Sequence, residues 1–235
     1  MKKRILIKIS GAAIGDPNGK EIFNVPKLTA VCKQIAKINK TNSVGVVLGG
    51  GNIWRGNMTK NKAFRRANAD YMGMMSTVIN GLAFKETLHK LGVKAEIYSS
   101  LEIEKITFPL AITLMNDDLA KGKVLIFVGG TGHPYFTTDT ACAIRAIDMH
   151  ADLILMGKDG VDGIYTDDPK KNKKAKRYSQ LTYLEAINKE LKVMDLTAMS
   201  LCQDNDVEII VFNISGKDGI LKAYKRQGKF TRIHR

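Results

Sequence analysis

Residues 44–56 read VGVVLGGGNIWRG and place a short, continuous apolar run directly before three glycines. A run that is apolar throughout, rather than alternating, is typical of a parallel strand buried on both faces. Glycine has no Cβ, so its backbone can come close to a ligand. Arg55 follows the glycines, and its planar guanidinium suits a phosphate group. The stretch therefore predicts a buried strand that brings backbone N–H groups and a cation to an anion.

Three further apolar runs each end in a glycine-containing segment that carries Lys, Thr or Asp. Ligands in open α/β sheets bind outside the carboxyl ends of the strands, so we expect these ends to converge on one crevice. Helical apolar spacing occupies most of the intervals, which predicts a three-layer αβα sandwich around a mostly parallel sheet, as a single domain over residues 1–235. The runs and the segments that follow them are Arg4–Ile9 with 10–11, Val124–Val128 with 129–139, and 153–156 with 157–163.

The composition favours a globular protein with a sizeable core. The chain has 235 residues, 44% of them hydrophobic, and no apolar run approaches the length of a membrane span. Lys8 interrupts the apolar part of the N-terminus, which we therefore interpret as a core strand rather than a secretory signal. Cys32, Cys142 and Cys202 are widely spaced and form no CxxC pair. We expect a reducing compartment, the cytoplasm, and neither a disulfide scaffold nor a zinc site.

The net charge of +14 fits either nucleic acid or an anionic metabolite. The basic residues concentrate in a run at 170–177 and in the tail at 222–235. Neither segment is interleaved with the aromatic side chains that stack on single strands, and no zinc-finger, recognition-helix or RNP pattern occurs. We therefore expect a small anionic partner, with no nucleic acid and no membrane.

Common catalytic fingerprints do not match the sequence. Gly51 and Gly56 have the glycine spacing of a P-loop, but Asn57 and Met58 stand where Lys and Ser or Thr are required. No GxGxxG follows the first strand, and neither GxSxG nor HExxH occurs. The glycine-rich segments are therefore interpreted as anion-binding loops of an architecture other than the P-loop or the dinucleotide-binding fold.

Lys8 and Asp139 each have a structural and a functional interpretation. Lys8 either guards an edge strand against aggregation or reaches phosphoryl oxygens from a strand's carboxyl end. Asp139 follows Thr137 and Thr138 at a predicted helix start, where it could serve only as a cap and as a partner of the helix dipole. A carboxylate there could also hold Lys8 and Lys158, while the threonines and the helix N–H groups receive a phosphate.

The predicted helix 71–91 begins with the methionine-rich sequence YMGMM. Methionines at helical spacing usually fill cores or subunit interfaces, and we interpret these in that way rather than as a metal or cofactor site.

Six short motifs occur in order along nearly the whole chain, and each is modest alone. They are KISG at 8–11, GGGNIWRG at 49–56, DYMGM at 70–74, TGHPYFTTD at 131–139, VDGIYTDDP at 161–169 and LKVMD at 191–195. Together they resemble the bacterial uridylate (UMP) kinases of the amino-acid-kinase superfamily. The resemblance implies the amino-acid-kinase fold and transfer of the γ-phosphoryl group of ATP to UMP, giving UDP and ADP in de novo pyrimidine nucleotide biosynthesis. It further implies a cytoplasmic, allosteric homohexamer with UTP as feedback inhibitor, and Mg²⁺ held mainly by ATP rather than by protein side chains.

The resemblance also implies roles for particular residues. Catalysis would fall to Lys8, Arg55, Asp139 and Lys158. The ATP-binding set would be Lys8, Ile9, Ser10, Gly11, Gly51, Arg55, Asp159, Tyr165 and Asp168. The UMP-binding set would be Gly50, Asp70, Thr131, Gly132, His133, Pro134, Tyr135, Phe136, Thr137 and Thr138.

Two positions bear on the substrate. His133 departs from the family, which usually has Asn there to help read the uracil; a neutral imidazole can also donate or accept. Asp195 stands where some relatives with carboxylate substrates carry Lys, which favours a nucleotide acceptor. The alternatives are an acetylglutamate, aspartate or carbamate kinase, a non-catalytic nucleotide- or oxyanion-binding protein on the same fold, and a protein that binds nucleic acid through its net charge. Direct phosphoryl transfer needs positioning and charge neutralisation, so we expect no covalent intermediate and no essential histidine.

Overall fold

The computed structural model describes residues 2–54, 64–191 and 193–235. Within these ranges, nine strands form one sheet in the order β4-β3-β5-β2-β1-β6-β8-β9-β7. The strands are β1 Arg4–Ile9, β2 Ser43–Leu48, β3 Ala95–Ser99, β4 Phe108–Pro109, β5 Val124–Val128, β6 Leu153–Lys158, β7 Gln180–Thr182, β8 Glu208–Asn213 and β9 Phe230–His234. The helices are α1 Val25–Asn39, α2 Arg66–Lys90, α3 Ile112–Ala120, α4 Thr138–Asp148, α5 Tyr183–Asn188, α6 Leu196–Asp204 and α7 Gly219–Tyr224, with a 3-10 turn at Gly11–Ala13.

The sheet is mostly parallel, as predicted. The pair β8–β9 is antiparallel, and every other neighbouring pair is parallel. The sequence did not predict β4, β7 or β9, and α2 begins at Arg66 rather than at residue 71. Strands β4 and β7 have only two and three residues, and β9 lies in the basic C-terminal segment, where charged residues interrupt the apolar pattern.

Helices cover both faces of the sheet, which confirms the three-layer αβα sandwich. Successive side chains of a strand point to opposite faces. Accordingly, Ile5, Ile7 and Ile9 of β1 pack in the core layer formed with α1, α2 and α7. Leu6 packs in the opposite layer, with α3, α4, α5 and α6.

Strand β1 lies in the centre of the sheet, because Lys8 pairs in register with Val47 of β2 on one side and with Met156 of β6 on the other. The edge-strand interpretation of Lys8 is therefore wrong. A lysine on a central strand needs a partner of opposite charge, since burial of an unpaired ammonium is costly.

The three cysteines are buried and free, as their apolar surroundings predict. Burial raises the pKa of the Cys32 and Cys202 thiols to about 12, so these side chains act as small apolar groups rather than as nucleophiles. Among the residues that the structure describes, no helix has both the length and the hydropathy to cross a membrane.

Candidate active site

The turns that follow β1 and β2 pack against each other at the carboxyl edge of the sheet. The amide of Gly49 donates to the carbonyl of Ile9 at 2.8 Å. A Cβ added at Gly11 would lie 2.6 Å from the amide nitrogen of Gly51, a separation that real Cβ atoms do not adopt. Glycine at position 11 therefore allows the two backbones to approach closely, and both turns face the same edge of the sheet.

A cluster of three charged side chains lies beside these turns. Lys8 Nζ is 3.0 Å from Asp139 Oδ1, and the two side chains are only 12% and 18% exposed. Lys158 Nζ, from the end of β6, is 4.0 Å from Asp139 Oδ2 and donates to the carbonyl of Val193 at 2.6 Å. Burial lowers the pKa of Lys158, and Lys8 lowers it further, whereas Asp139 opposes both effects. One carboxylate thus holds two ammonium groups at the strand ends.

Two side chains stabilise the start of α4: Thr137 caps the helix, and Asp195 binds the hydroxyl of this cap. Together they fix the position of Asp139 in the first turn. The Thr137 hydroxyl accepts from the amides of Asp139 and Thr140. Asp195 Oδ2 accepts from the hydroxyls of Thr137 and Thr140 at 2.6 and 2.8 Å, while its Oδ1 caps α6 by accepting from Ala198 N. Burial opposes ionisation of Asp195, yet the hydrogen bonds outweigh it and lower its pKa.

Two buried oxygens at this edge accept no hydrogen bond from the described residues. They are Ser10 Oγ, in the turn after β1, and Asp139 Oδ1, whose contact is the ion pair with Lys8. Buried polar atoms are nearly always hydrogen-bonded in proteins, so unused bonding capacity at one place calls for an explanation. A phosphate tail with its counterion or bound water would supply the missing partners.

A cavity of about 400 Å³ is lined by Thr137 and Thr138, which directly precede Asp139 of the charged cluster. Seven residues of the predicted UMP-binding set line it, and Gly51 joins them. The seven are Gly50, Asp70, Thr131, His133, Phe136, Thr137 and Thr138. The glycine turns after β2 and β5 form its base, and α2 and the start of α4 form its walls, which is a concave site with convergent polar groups.

The Asp70 carboxylate is held at the mouth of this cavity. It accepts from Arg66 Nε at 3.0 Å and from the amide of Tyr135 at 2.8 Å. Tyr135 has a φ of 74°, in the left-handed region that non-glycine residues rarely adopt. The Arg66 guanidinium carbon also lies 5.7 Å from the centre of the Tyr135 ring. These contacts link the start of α2 to the loop before α4.

A second cavity, of about 620 Å³, is lined by Lys158 of the cluster. Its lining includes four predicted site residues, Lys158, Asp159, Tyr165 and Asp168. Asp159 accepts from the Ser215 hydroxyl, and Asp168 accepts from the amide of Lys170 at 2.9 Å. Lys158 is the link between the two parts of the site, since it lines this cavity and also faces Asp139.

Several other predicted site residues do not line either of these two cavities. Gly132, Pro134 and Tyr135 do not line the 400 Å³ cavity, although Tyr135 contacts Asp70 through its amide. The side chain of Ile9 is fully buried in the core, so only its backbone could face a nucleotide. Arg55, predicted for both ATP binding and catalysis, lies outside the described residues.

The sequence analysis gave no binding role to several residues that shape the site, although three of them lie within the quoted motifs at 49–56 and 70–74. Trp54, Gly73, Met74 and Thr77 also line the 400 Å³ cavity. The Thr77 hydroxyl accepts from the amide of Gly129 at 2.7 Å, which ties α2 to the turn after β5. The apolar periodicity of the helix that contains Thr77 gave no signal that this part of α2 carries a polar inner face.

A cavity of about 960 Å³ between α2, β3 and residues 100–110 contains none of the predicted site residues. Its size alone does not make it the reaction site, because the glycine turns after β1 and β2 and the Lys8–Asp139–Lys158 cluster do not line it. No group of three or more His, Cys, Asp and Glu side chains in the described ranges could hold a metal by itself.

The fold is that of an α/β protein whose glycine turns and buried cations meet at the carboxyl edge of a mostly parallel sheet, the edge at which ligands of such folds bind. The chain belongs to the amino acid kinase family, whose sequence profile matches residues 3–213. It is 42% identical over 232 residues to a uridylate kinase from Mycoplasmoides gallisepticum, with 99% of this chain and 98% of the relative covered.

Two solved structures have the same architecture. The UMP kinase from Ureaplasma parvum superposes with a TM-score of 0.96 at 42% identity, covering 100% of both chains. The UMP kinase from Bacillus anthracis superposes with a TM-score of 0.92 at 34% identity, covering 99% of this chain and 96% of that one. The resemblance found in the six motifs is thereby confirmed at the level of the family and the fold.

Proposed function

We propose that this protein is a UMP kinase that transfers the γ-phosphoryl group of ATP to UMP, giving UDP and ADP in pyrimidine nucleotide biosynthesis. The observation that carries the proposal is that one Lys8–Asp139–Lys158 cluster adjoins two cavities, since Lys158 lines the 620 Å³ cavity and Thr138, the residue before Asp139, lines the 400 Å³ cavity. A phosphotransferase with two nucleotide substrates needs this arrangement, since the two phosphate tails must meet in line. The full-length similarity to proteins named uridylate kinase supports it further.

The uridine would occupy the 400 Å³ cavity. Asp70 is a carboxylate at its mouth, suited to accept hydrogen bonds from ribose hydroxyls. Thr138, at the start of α4, offers its hydroxyl and its helix N–H group to the UMP phosphate, while Thr137, whose hydroxyl donates to Asp195, holds the helix start in place. His133 lines the same cavity and is the candidate for reading the edge of the uracil ring.

The adenine nucleotide would occupy the 620 Å³ cavity, with its phosphates extending toward β1. Lys8, Lys158 and the backbone amides of Ser10, Gly11 and Gly51 would neutralise and orient the phosphoryl oxygens. Mg²⁺, bound mainly by ATP, would supply further charge neutralisation. The Ser10 hydroxyl, which has no hydrogen-bond partner among the described residues, would donate to a phosphate oxygen at this edge.

Asp139 organises the two lysines instead of abstracting a proton. The attacking oxygen of UMP is already ionised at neutral pH, so the reaction needs no strong general base. The carboxylate fixes both ammonium groups and keeps them apart at the place where negative charge accumulates. Arg55, which follows the Gly49–Gly51 turn in sequence, is proposed as a further cation for the transferred group.

We also propose that the chain acts as a single domain and assembles as a homohexamer. An exposed apolar stripe along α2 supports assembly, because the side chains are 37–48% exposed and recur at helical spacing on one face. The stripe consists of Tyr71, Met72, Met75, Ile79 and Leu82. Free, buried cysteines support a cytoplasmic location. UTP shares its uridine with UMP and is the proposed allosteric feedback inhibitor.

A coupled assay of ADP release tests the reaction. The purified protein is supplied with Mg-ATP and, in parallel, with UMP, CMP, dUMP or acetylglutamate. The proposal predicts turnover that depends on UMP and falls strongly with the other acceptors. Turnover with acetylglutamate instead would identify another reaction of the family, and ATP binding without any turnover would indicate a non-catalytic protein.

A further inference from the structure

Asn80 is a fully buried polar side chain in the middle of α2, with an exposed fraction of 0%. It lines neither nucleotide cavity. Burial of an amide without hydrogen-bond partners is energetically unfavourable, so the partners of Asn80 indicate what this side chain stabilises. The buried hydroxyl of Ser76 on the same helix bonds only to the carbonyl of Met72, within α2 itself. Asn80, in contrast, reaches out of its helix.

The Asn80 amide forms a reciprocal pair with the side chain of Asn52. Asn80 Nδ2 donates to Asn52 Oδ1 at 2.8 Å, and Asn52 Nδ2 donates to Asn80 Oδ1 at 3.0 Å. Asn80 Nδ2 also donates to the carbonyl of Gly49 at 2.8 Å. The Asn80 side chain thus binds the turn after β2 at two points, the carbonyl of Gly49 and the side chain of Asn52.

Asn52 in turn fills the space above the turn that follows β1. A Cβ added at Gly11 would lie 2.4 Å from Asn52 Oδ1, and one added at Gly15 would lie 2.7 Å from Asn52 Cβ. Asn52 Nδ2 also donates to the carbonyl of Ile22 at 3.2 Å. The pair therefore sits between both phosphate-facing turns and joins each of them to α2.

We propose that Asn80 is a positioning residue, which acts through Asn52 to fix the Ser10–Gly11 and Gly49–Gly51 backbones relative to each other. This inference rests on the proposed phosphoryl transfer between ATP and UMP. Neither amide needs to touch a nucleotide. Their effect is to hold the backbone N–H groups of two separate turns at one spacing, and small displacements of groups around a transferred phosphoryl have large effects on rate.

The test compares Asn80→Ala, Asn52→Ala, the double variant and Ser76→Ala. Ser76 is the matched control because it is buried on the same helix and its hydroxyl bonds only within that helix. We expect each asparagine variant to lower kcat by about 10- to 100-fold, with a smaller change in the KM for UMP. The double variant should be no more than about twofold slower than the slower single variant, because both side chains act through one pair.

Melting temperatures are measured alongside the rates, and assays are run well below them. Ser76→Ala should keep kcat within about twofold of the unaltered protein. If the asparagine variants keep a normal kcat despite a lower melting temperature, or if their effects on kcat multiply independently, the positioning role is wrong. Should Asn80→Ala not fold, the half-buried Asn52→Ala carries the same test alone.

Calorimetric titration with ATP in the absence of UMP separates this inference from the proposed function. An unaltered protein that binds ATP but never turns over UMP would overturn the proposed function. Weaker ATP binding by both asparagine variants would then still support the positioning role, and unchanged binding by both would contradict it.

Discussion

Replacement of Asp139 by Asn removes one negative charge from between two lysines and keeps the size of the side chain. At 3.0 Å from Lys8, the lost attraction is about 5 kcal/mol before desolvation, for an effective dielectric constant of ~20. Desolvation of both charges and their partial exposure offset more than half of this. We therefore expect the free energy of unfolding to fall by about 2 kcal/mol, or about 4–8 °C in melting temperature for a chain of this size.

The effect on turnover should be much larger than the effect on stability. Both ammonium groups lose the carboxylate that orients them, and Lys158 also loses the contact that opposes the lowering of its pKa. Loss of one preorganised electrostatic group typically lowers kcat by about 10²- to 10³-fold. The assay is UMP-dependent ADP release at saturating substrates, with the melting temperature of the same preparation measured in parallel.

Glu96→Gln is the matched control for Asp139→Asn. Glu96 also joins two lysines, Lys85 at 2.6 Å and Lys123 at 3.1 Å, and its side chain is 20% exposed. The two variants should lose similar stability, yet Glu96→Gln should keep kcat within about twofold. Normal kcat in Asp139→Asn, or parallel losses of activity in both variants, would refute the role assigned to Asp139.

Four other outcomes follow from the structure. Lys158→Met should lower kcat about 10- to 100-fold and weaken ATP binding, because it removes a charge-assisted hydrogen bond to the phosphates. Steady-state kinetics with varied ATP measure both effects, and an unchanged kcat and KM for ATP would contradict the prediction. Asp70→Asn should raise the KM for UMP about tenfold, which corresponds to a loss of ~1.4 kcal/mol in binding free energy, and leave the KM for ATP unchanged. Equal increases in the two KM values would place Asp70 outside the uridine site. Ile79→Glu introduces a charge into the exposed apolar stripe and should yield a smaller assembly by light scattering; an unchanged mass would exclude that face. Asp195→Asn should destabilise the protein above pH 3.8 and lose this difference as the pH falls through the lowered pKa of Asp195, because the protonated carboxyl is then neutral like the amide that replaces it. Denaturant unfolding at several pH values tests this, and a difference that persists in acid would contradict it.

The sequence predicted the structure best at positions where the pattern of residues allows only one physical interpretation. The apolar runs ending in glycine predicted β1, β2 and β5 and the edge of the sheet at which they converge. Lys8 was harder, because the same lysine suits an edge strand and an anion site. Only the register of β1 between β2 and β6 separated the two interpretations.

The apolar spacing of helix 71–91 predicted an apolar face but not where it points. Val78 and Leu88 are buried against the sheet, whereas Met75 and Ile79 are exposed. An apolar periodicity cannot distinguish a core from a subunit interface, since both bury the same side chains. The polar inner face of α2, with Asn80 and its neighbours, was missed for a related reason, because its partners lie far away in sequence.

A crystal structure with UMP and a non-hydrolysable ATP analogue tests the central claim most directly. The account predicts the uracil in the 400 Å³ cavity, the adenine in the 620 Å³ cavity, and the two phosphate tails within hydrogen-bonding distance of Lys8 or Lys158. Nucleotides bound elsewhere, or tails that end on opposite sides of the protein with Asp139 contacting neither lysine, would contradict it.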